Sequence, residues 1–191
     1  MSRDLMHSKE LKDLVRDAYC AIEGDTSLVA RTLYEPADLV GVPEVALRRS
    51  LGVNNHLRFA DIMAGETILD LGCGGGIDAV IAARRIGPTG RVIGLDFLPE
   101  MLVRTEAAAA AAGLHNIETL EGEMEAIPLP DNSVDHIISN GVINLSPRKA
   151  RVLAECARVL KPQGKFCVSD LAVEEEALPT EVLTHPAAWA G

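Results

Sequence analysis

The sequence predicts an α/β fold built on a doubly wound parallel sheet. Short apolar runs alternate with stretches of helical pattern from Gly65 onward, which is typical of parallel strands joined by helical crossovers. Four of the five residues at 72–76 are glycines, and this glycine run falls where one such strand ends and a helix begins. The chain has 191 residues and 48% of them are hydrophobic, enough for one domain with a sizeable core.

The region before this alternating pattern is predicted to be mostly helical. Residues 8–23 place apolar side chains at helical spacing, which predicts an amphipathic helix with Leu11, Leu14, Val15, Ala18 and Ile22 on one face. Turn signals divide residues 24–64 into short pieces, with one further helix around 43–50. We therefore treat 1–64 as an N-terminal helical or lid segment.

The remaining elements follow one another at regular spacing, which predicts a core over 65–171 and a tail over 172–191. Ser146 is expected to cap the last helix and Pro147 to open it, since both residue types favour that position. Strands are predicted at 67–71, 92–95, 117–120, 134–139 and 165–169, and helices at 77–86 and 99–112.

Composition excludes several classes of partner and site. The net charge of −10 argues against binding to nucleic acid or to anionic lipid, because both need clustered basic residues. No apolar run reaches membrane-spanning length, and the start of the chain lacks the apolar segment of a secretory signal. The cysteines show no metal-ligand spacing, so we expect free thiols, no metal and a cytoplasmic location: Cys20, Cys73, Cys156 and Cys167.

The glycine run is the strongest functional signal. Glycines at a strand-to-helix turn let the backbone approach a ligand closely, and Asp96 ends the next strand, where such a fold reaches a ribose. The spacing of Gly74, Gly76 and Ala79 also satisfies the dinucleotide fingerprint. However, Asp70 and Asp78 bracket the loop and would repel a pyrophosphate, whereas they would attract a cationic ligand. The charges therefore favour S-adenosylmethionine, which carries an ammonium and a sulfonium.

Several stretches together resemble a known family. The stretches 69–78, 94–96 and 100–102 resemble class I methyltransferases in general. The stretches 121–128, 138–147 and 158–162 narrow the similarity to the arsenite methyltransferase family. This resemblance implies a Rossmann-like sheet of strand order 3-2-1-4-5 and S-adenosylmethionine as cofactor. The family's sheet usually ends with two further strands, and the residues after the fifth strand here do not read well as such a pair.

The resemblance also implies a set of cofactor-binding residues. Gly72 and Gly74 would face the methionine portion, with Asp70 assisting its ammonium, and Asp96 would bind the ribose hydroxyls. Met101 would pack on the adenine, and Asn140 would lie near the sulfonium. The full set is Asp70, Gly72, Gly74, Gly76, Asp96, Met101, Glu123, Met124, Glu125 and Asn140.

The sequence departs from the family at the positions expected to hold arsenic. The family's thiolates would fall at Val53 and Gly141, and neither is a cysteine here. We therefore expect methyl transfer to some other small molecule, with no catalytic residue identified. His136 is interpreted as a core histidine, and His56 as an exposed loop residue rather than a general base.

Two other functions stay open at this level. A non-catalytic S-adenosylmethionine-binding or regulatory protein fits the missing thiolates, and an NAD-dependent oxidoreductase fits the glycine spacing. The fifth strand is also expected at a sheet edge, where either a homodimer or the tail would cover it.

Overall fold

The fold is a doubly wound parallel sheet, as the sequence predicts. The computed structural model describes residues 12–19, 21–22 and 24–172. Its sheet has five parallel strands in the order β3-β2-β1-β4-β5. The strands are β1 (Thr67–Leu71), β2 (Arg91–Asp96), β3 (Ile117–Glu121), β4 (Val134–Asn140) and β5 (Leu160–Ser169).

Helices precede the sheet and connect its strands. Residues 12–19 form helix α1. The others are α2 (Ser27–Leu33), α3 (Glu44–Leu47), α4 (Ile77–Ile86), α5 (Pro99–Ala111) and α6 (Lys149–Val159), with short 3₁₀ turns at His56–Arg58 and Ile143–Leu145. The helix over 77–86 matches the prediction at both ends. Helix α2 was not predicted.

Alternating side chains along the central strands build two cores, one on each face of the sheet. On β1, Ile68 packs with α4, while Leu69 and Leu71 face the opposite side, where α6 packs. This alternation is the period of a strand, and burial on both faces explains why apolar residues predominate in these strands. The covered sheet leaves the carboxyl ends of its strands as the place where a site can form.

Three local predictions were wrong. Helix α6 begins at Lys149 with Arg148 as its N-cap, and Ser146 instead donates its hydroxyl hydrogen to Glu125 at 2.7 Å. On α1, Val15 is buried as predicted, but Leu14 is 40% exposed. Strand β5 begins at Leu160, five residues before the predicted start at 165, because it pairs with β4 through an irregular register.

Two of the described cysteines and the histidine of β4 are buried in the core. Cys156 lies on the buried side of α6, and burial raises its pKa to about 11. His136 is buried in β4, as the sequence predicts, with its Nδ1 atom 3.0 Å from a Glu66 carboxylate oxygen. Cys167, on β5, is only half-buried. No metal-ligand cluster occurs within the described ranges.

The fifth strand lies at an edge of the sheet, as predicted. Strand β5 has β4 as its neighbour and forms one end of the strand order. The acidic run at 174–176 and the prolines beyond it lie outside the described residues, so the predicted dimer or tail cover stays a prediction. None of the described helices is both long and apolar enough to cross a membrane.

Candidate functional site

The glycine run forms a tight turn between β1 and α4. The Gly72 and Cys73 amides both donate to the carbonyl oxygen of Leu95, at 2.8 and 3.0 Å, which ties the turn to β2. Gly72 has a φ of +79°, and a Cβ placed there would lie 2.5 Å from Cγ1 of Val142. Only glycine fits this position. The turn thereby exposes backbone at the floor of a cleft.

Asp96 ends β2 and holds the glycine turn in place. One carboxylate oxygen accepts a hydrogen bond from the Gly74 amide at 3.1 Å, and the other accepts one from the Leu98 amide at 3.0 Å. The side chain is 7% exposed, and this burial raises the pKa of Asp96 despite the hydrogen bonds from the backbone. Asp96 therefore shapes the cleft wall and also presents a carboxylate to the cleft.

Asp70 lies behind the turn, near the end of β1, close to the acidic side chains of Asp78 and Asp96. It is 2% exposed, and its Oδ2 atom makes no hydrogen bond within the described part of the chain. Burial raises the pKa of Asp70 well above its usual value, and the neighbouring charges of Asp78 and Asp96 raise it further. None of these carboxylates forms an ion pair among the described residues, so the group suits a cationic ligand.

Asn140, at the end of β4, joins the opposite wall of the cleft to Asp78. Its amide nitrogen donates to an Asp78 carboxylate oxygen at 3.1 Å, while the Tyr34 hydroxyl donates to the other oxygen at 2.6 Å. The amide oxygen of Asn140 accepts from the Val53 amide at 2.9 Å and from the Ser169 hydroxyl at 2.8 Å. Asn140 thus fixes the segment preceding the core against the carboxyl end of the sheet.

Helix α1 forms a third wall of the cleft. Lys12, Val15 and Tyr19 line the cleft, and their spacing puts them on one side of the helix. The Lys12 ammonium lies 2.7 Å from a Glu123 carboxylate oxygen and 4.0 Å from one of Glu125. Burial raises the pKa of Tyr19, and the charges of Asp96 and Asp170 add to that effect.

The structure brings most of the predicted site residues together. Gly76 and Asp70 do not line the cleft: Gly76 precedes α4 and packs against Thr105, and Asp70 lies behind the turn. The other predicted residues line it: Gly72, Gly74, Asp96, Met101, Glu123, Met124, Glu125 and Asn140.

The sequence interpretation of His56 was wrong. The side chain is 2% exposed rather than exposed on a loop, and neither ring nitrogen has a hydrogen-bond partner within the described ranges. Burial lowers its pKa. His56 does not line the cleft, so the structure places it in the core and not beside a reacting group.

Some lining residues were missed, namely those of α1 and those at 49–52. These residues lie far from the glycine run in sequence. The predicted apolar face of α1 includes Val15 but neither Lys12 nor Tyr19, which line the cleft on the same side of the helix.

The two positions at which the family would carry thiolates are neighbours in space. A Cβ placed on Gly141 would lie 3.1 Å from Cγ1 and 3.9 Å from Cβ of Val53. Gly141 lines the cleft directly after Asn140. Gly141 therefore belongs to the end of the cleft formed by β4, and Val53 packs against it from outside the lining.

Comparisons with known proteins agree with this geometry. Residues 62–190 match a family model described as a methyltransferase domain. An arsenite methyltransferase of Halobacterium salinarum is 38% identical over 172 residues, which is 90% of this chain and 44% of that protein. A demethylmenaquinone methyltransferase of Listeria monocytogenes is 37% identical over 60% of this chain and 48% of its own length.

A solved structure shows the same likeness in three dimensions. An arsenic(III) S-adenosylmethionine methyltransferase from Chlamydomonas reinhardtii superposes with a TM-score of 0.71 at 38% identity, over 80% of this chain and 53% of the other. The chain spans less than half the length of the two curated relatives named above.

Proposed function

The chain belongs to the class I S-adenosylmethionine-dependent methyltransferases, and from that premise we propose that it moves a methyl group to a small-molecule acceptor. One observation carries the proposal. Three buried carboxylates, Asp70, Asp78 and Asp96, surround the glycine turn without a basic partner among the described residues. Such a site favours a cation and disfavours the pyrophosphate of NAD.

The residues present fit S-adenosylmethionine. Its ammonium and sulfonium suit the acidic environment, and the Oδ2 atom of Asp70, behind the turn, has no hydrogen-bond partner among the described residues. We propose that Asp96 binds the ribose hydroxyls and that the backbone at Gly72 and Gly74 binds the methionine portion. Met101 and residues 123–125 would border the adenine, and Asn140 would lie beside the sulfonium.

The chain's own task in the reaction is mainly alignment. The bound cofactor supplies an activated methyl group, because its sulfonium is a good leaving group. The Asn140 network and the glycine turn hold two walls of the cleft in fixed relation, which favours alignment of donor and acceptor. Helix α1 covers the cleft and helps to exclude water. These roles need no general base.

The acceptor we propose is a small organic molecule rather than arsenite. Arsenic(III) is a soft centre that thiolates hold, and Val53 and Gly141 offer none. Gly141 lines the β4 end of the cleft next to Asn140 and presents no side chain there. The apolar Val53 packs against Gly141, so this end of the cleft suits an organic group better than an oxyanion.

Labelled S-adenosylmethionine tests this function. Incubating the chain with methyl-labelled donor and a panel of small organic molecules should transfer label to at least one of them. A parallel reaction with arsenite and a thiol reductant should yield no methylated arsenic above the protein-free control. Tight donor binding without transfer to any acceptor would favour the non-catalytic binding protein, and arsenite turnover would contradict the proposed acceptor class.

Restoring two thiols should create an arsenic(III) site. The Cβ separation of 3.9 Å between positions 53 and 141 brings both sulfurs within reach of one ion. We expect Val53→Cys/Gly141→Cys to bind arsenite at least about tenfold more tightly than Val53→Cys alone, measured by calorimetry under reducing conditions. The positive φ of Gly141 will cost about 1 kcal/mol of stability. Equal affinities, with both thiols reactive, would contradict the placement of these positions.

A further inference from the structure

A buried hydroxyl lines the cleft without a hydrogen-bond partner. Ser50 is 1% exposed, and its Oγ atom makes no hydrogen bond with any described residue. An unsatisfied buried hydroxyl is costly, so each case calls for an explanation such as a ligand. The sequence analysis did not assign Ser50 to the site, and the proposed function does not use it.

The preceding residue, Arg49, is a half-buried cation that also lines the cleft. Its Nη1 atom donates to the carbonyl oxygen of Ile22 at 2.8 Å, and none of the ion pairs among described residues includes it. Its neighbour Arg48 differs on both counts, because that side chain is 62% exposed and lies 3.6 Å from both Asp25 and Glu44. Within the described chain, Arg49 therefore carries a positive charge with no carboxylate beside it.

The segment that contains Arg49 and Ser50 packs directly on the glycine turn. A Cβ placed on Gly75 would lie 2.9 Å from the Arg49 Cβ and 3.0 Å from its carbonyl oxygen. A Cβ on Gly52 would collide with the Asn140 amide. The pair thus lies between the glycine turn and the end of β4, at the part of the cleft assigned to the methionine portion of the donor.

We infer that Arg49 and Ser50 form a subsite for the α-carboxylate of the donor's amino-acid portion. The inference rests on the proposed function, and it names the residues that bind the donor's only anionic group. A guanidinium and a hydroxyl can both donate to one carboxylate, and hydrogen bonds to charged groups are the stronger kind. Charge is then divided around the cleft: Asp78 in the lining and Asp70 behind the glycine turn lie on the side of the ammonium, and Arg49 lies on the side of the carboxylate.

A pair of ligands isolates this interaction. S-adenosylmethionine and its decarboxylated form share the sulfonium and differ only in the α-carboxylate. We expect Arg49→Gln and Ser50→Ala each to weaken S-adenosylmethionine binding about tenfold, while affinity for the decarboxylated ligand changes less than about twofold. Arg49→Lys keeps the charge and should recover part of the loss. Calorimetry gives the affinities, and thermal unfolding without ligand checks the fold of each variant.

Arg48→Gln is the matched control, since it removes an adjacent arginine that does not line the cleft. It should leave both affinities unchanged. Equal weakening of both ligands in the Arg49 and Ser50 variants would overturn the inference, because it would indicate a general effect on the turn. Unchanged affinity for S-adenosylmethionine in both variants would overturn it as well. Failure of the unsubstituted chain to bind either ligand would instead overturn the proposed function itself.

Discussion

Asp96→Ala is expected to weaken S-adenosylmethionine binding by about 1.5–3 kcal/mol, or roughly 10- to 150-fold. The substitution removes the carboxylate that we assign to the ribose hydroxyls. It also removes the acceptor for the Gly74 amide, so the glycine turn loses a tie to β2. Calorimetry with the folded variant measures the loss directly.

Two further variants interpret that loss. Asp96→Asn retains one oxygen acceptor and most of the shape, so it should fall between the parent and the alanine variant. Asp61→Ala removes a carboxylate that is 74% exposed and lies outside the cleft, and it should leave binding unchanged. Unchanged affinity in a folded Asp96→Ala protein would remove Asp96 from the donor site.

Asp70→Asn is expected to have opposite effects on stability and on binding. Without ligand, the free energy of unfolding of the variant should be higher by about 1 kcal/mol. The reason is that a neutral group replaces a buried carboxylate that lies among other acidic residues. The same change should weaken the binding of S-adenosylmethionine, because it removes a negative charge from behind the glycine turn, next to the site proposed for the ammonium. Urea unfolding and calorimetry test the two effects separately. A variant that is less stable and binds normally would contradict the assigned role.

The pH dependence of stability gives a second readout for Asp70. Burial and neighbouring carboxylates raise the pKa of Asp70 in the folded chain above its usual value of 3.8. The folded state therefore holds a proton that the unfolded state releases, and this contribution to stability declines as pH rises from the usual value to the raised one. In Asp70→Asn that part of the decline should be absent. An unchanged pH profile of unfolding would argue against the raised pKa.

Local sequence patterns predicted most of the sheet. The strands at 67–71 and 134–139 are buried on both faces and contain short apolar runs, and the helix at 77–86 lies between the glycine turn and Gly87. These signals lie within each segment, so they can be recognised without knowledge of distant contacts. Asp96 and the glycine turn were predicted for the same reason, because the turn and the end of β2 have their own local signatures.

Residues that depend on distant contacts were missed or misassigned. Arg49 packs on Gly75, and this contact, which no local pattern encodes, brings Arg49 and the adjacent Ser50 to the cleft. Serine is a residue type that often caps helices, but the Ser146 hydroxyl donates a hydrogen bond to the buried carboxylate of Glu125. His56 precedes the core in a polar stretch, yet the structure buries it. In each case tertiary packing outweighed the local preference.

Calorimetric titration of the unsubstituted chain with S-adenosylmethionine, and separately with NAD, tests the central claim most directly. The acidic surrounding of the glycine turn should favour the cationic ligand and repel a pyrophosphate. We expect saturable binding of one S-adenosylmethionine per chain and no detectable binding of NAD. Saturable binding of NAD, or no binding of S-adenosylmethionine by the folded chain, would contradict the claim.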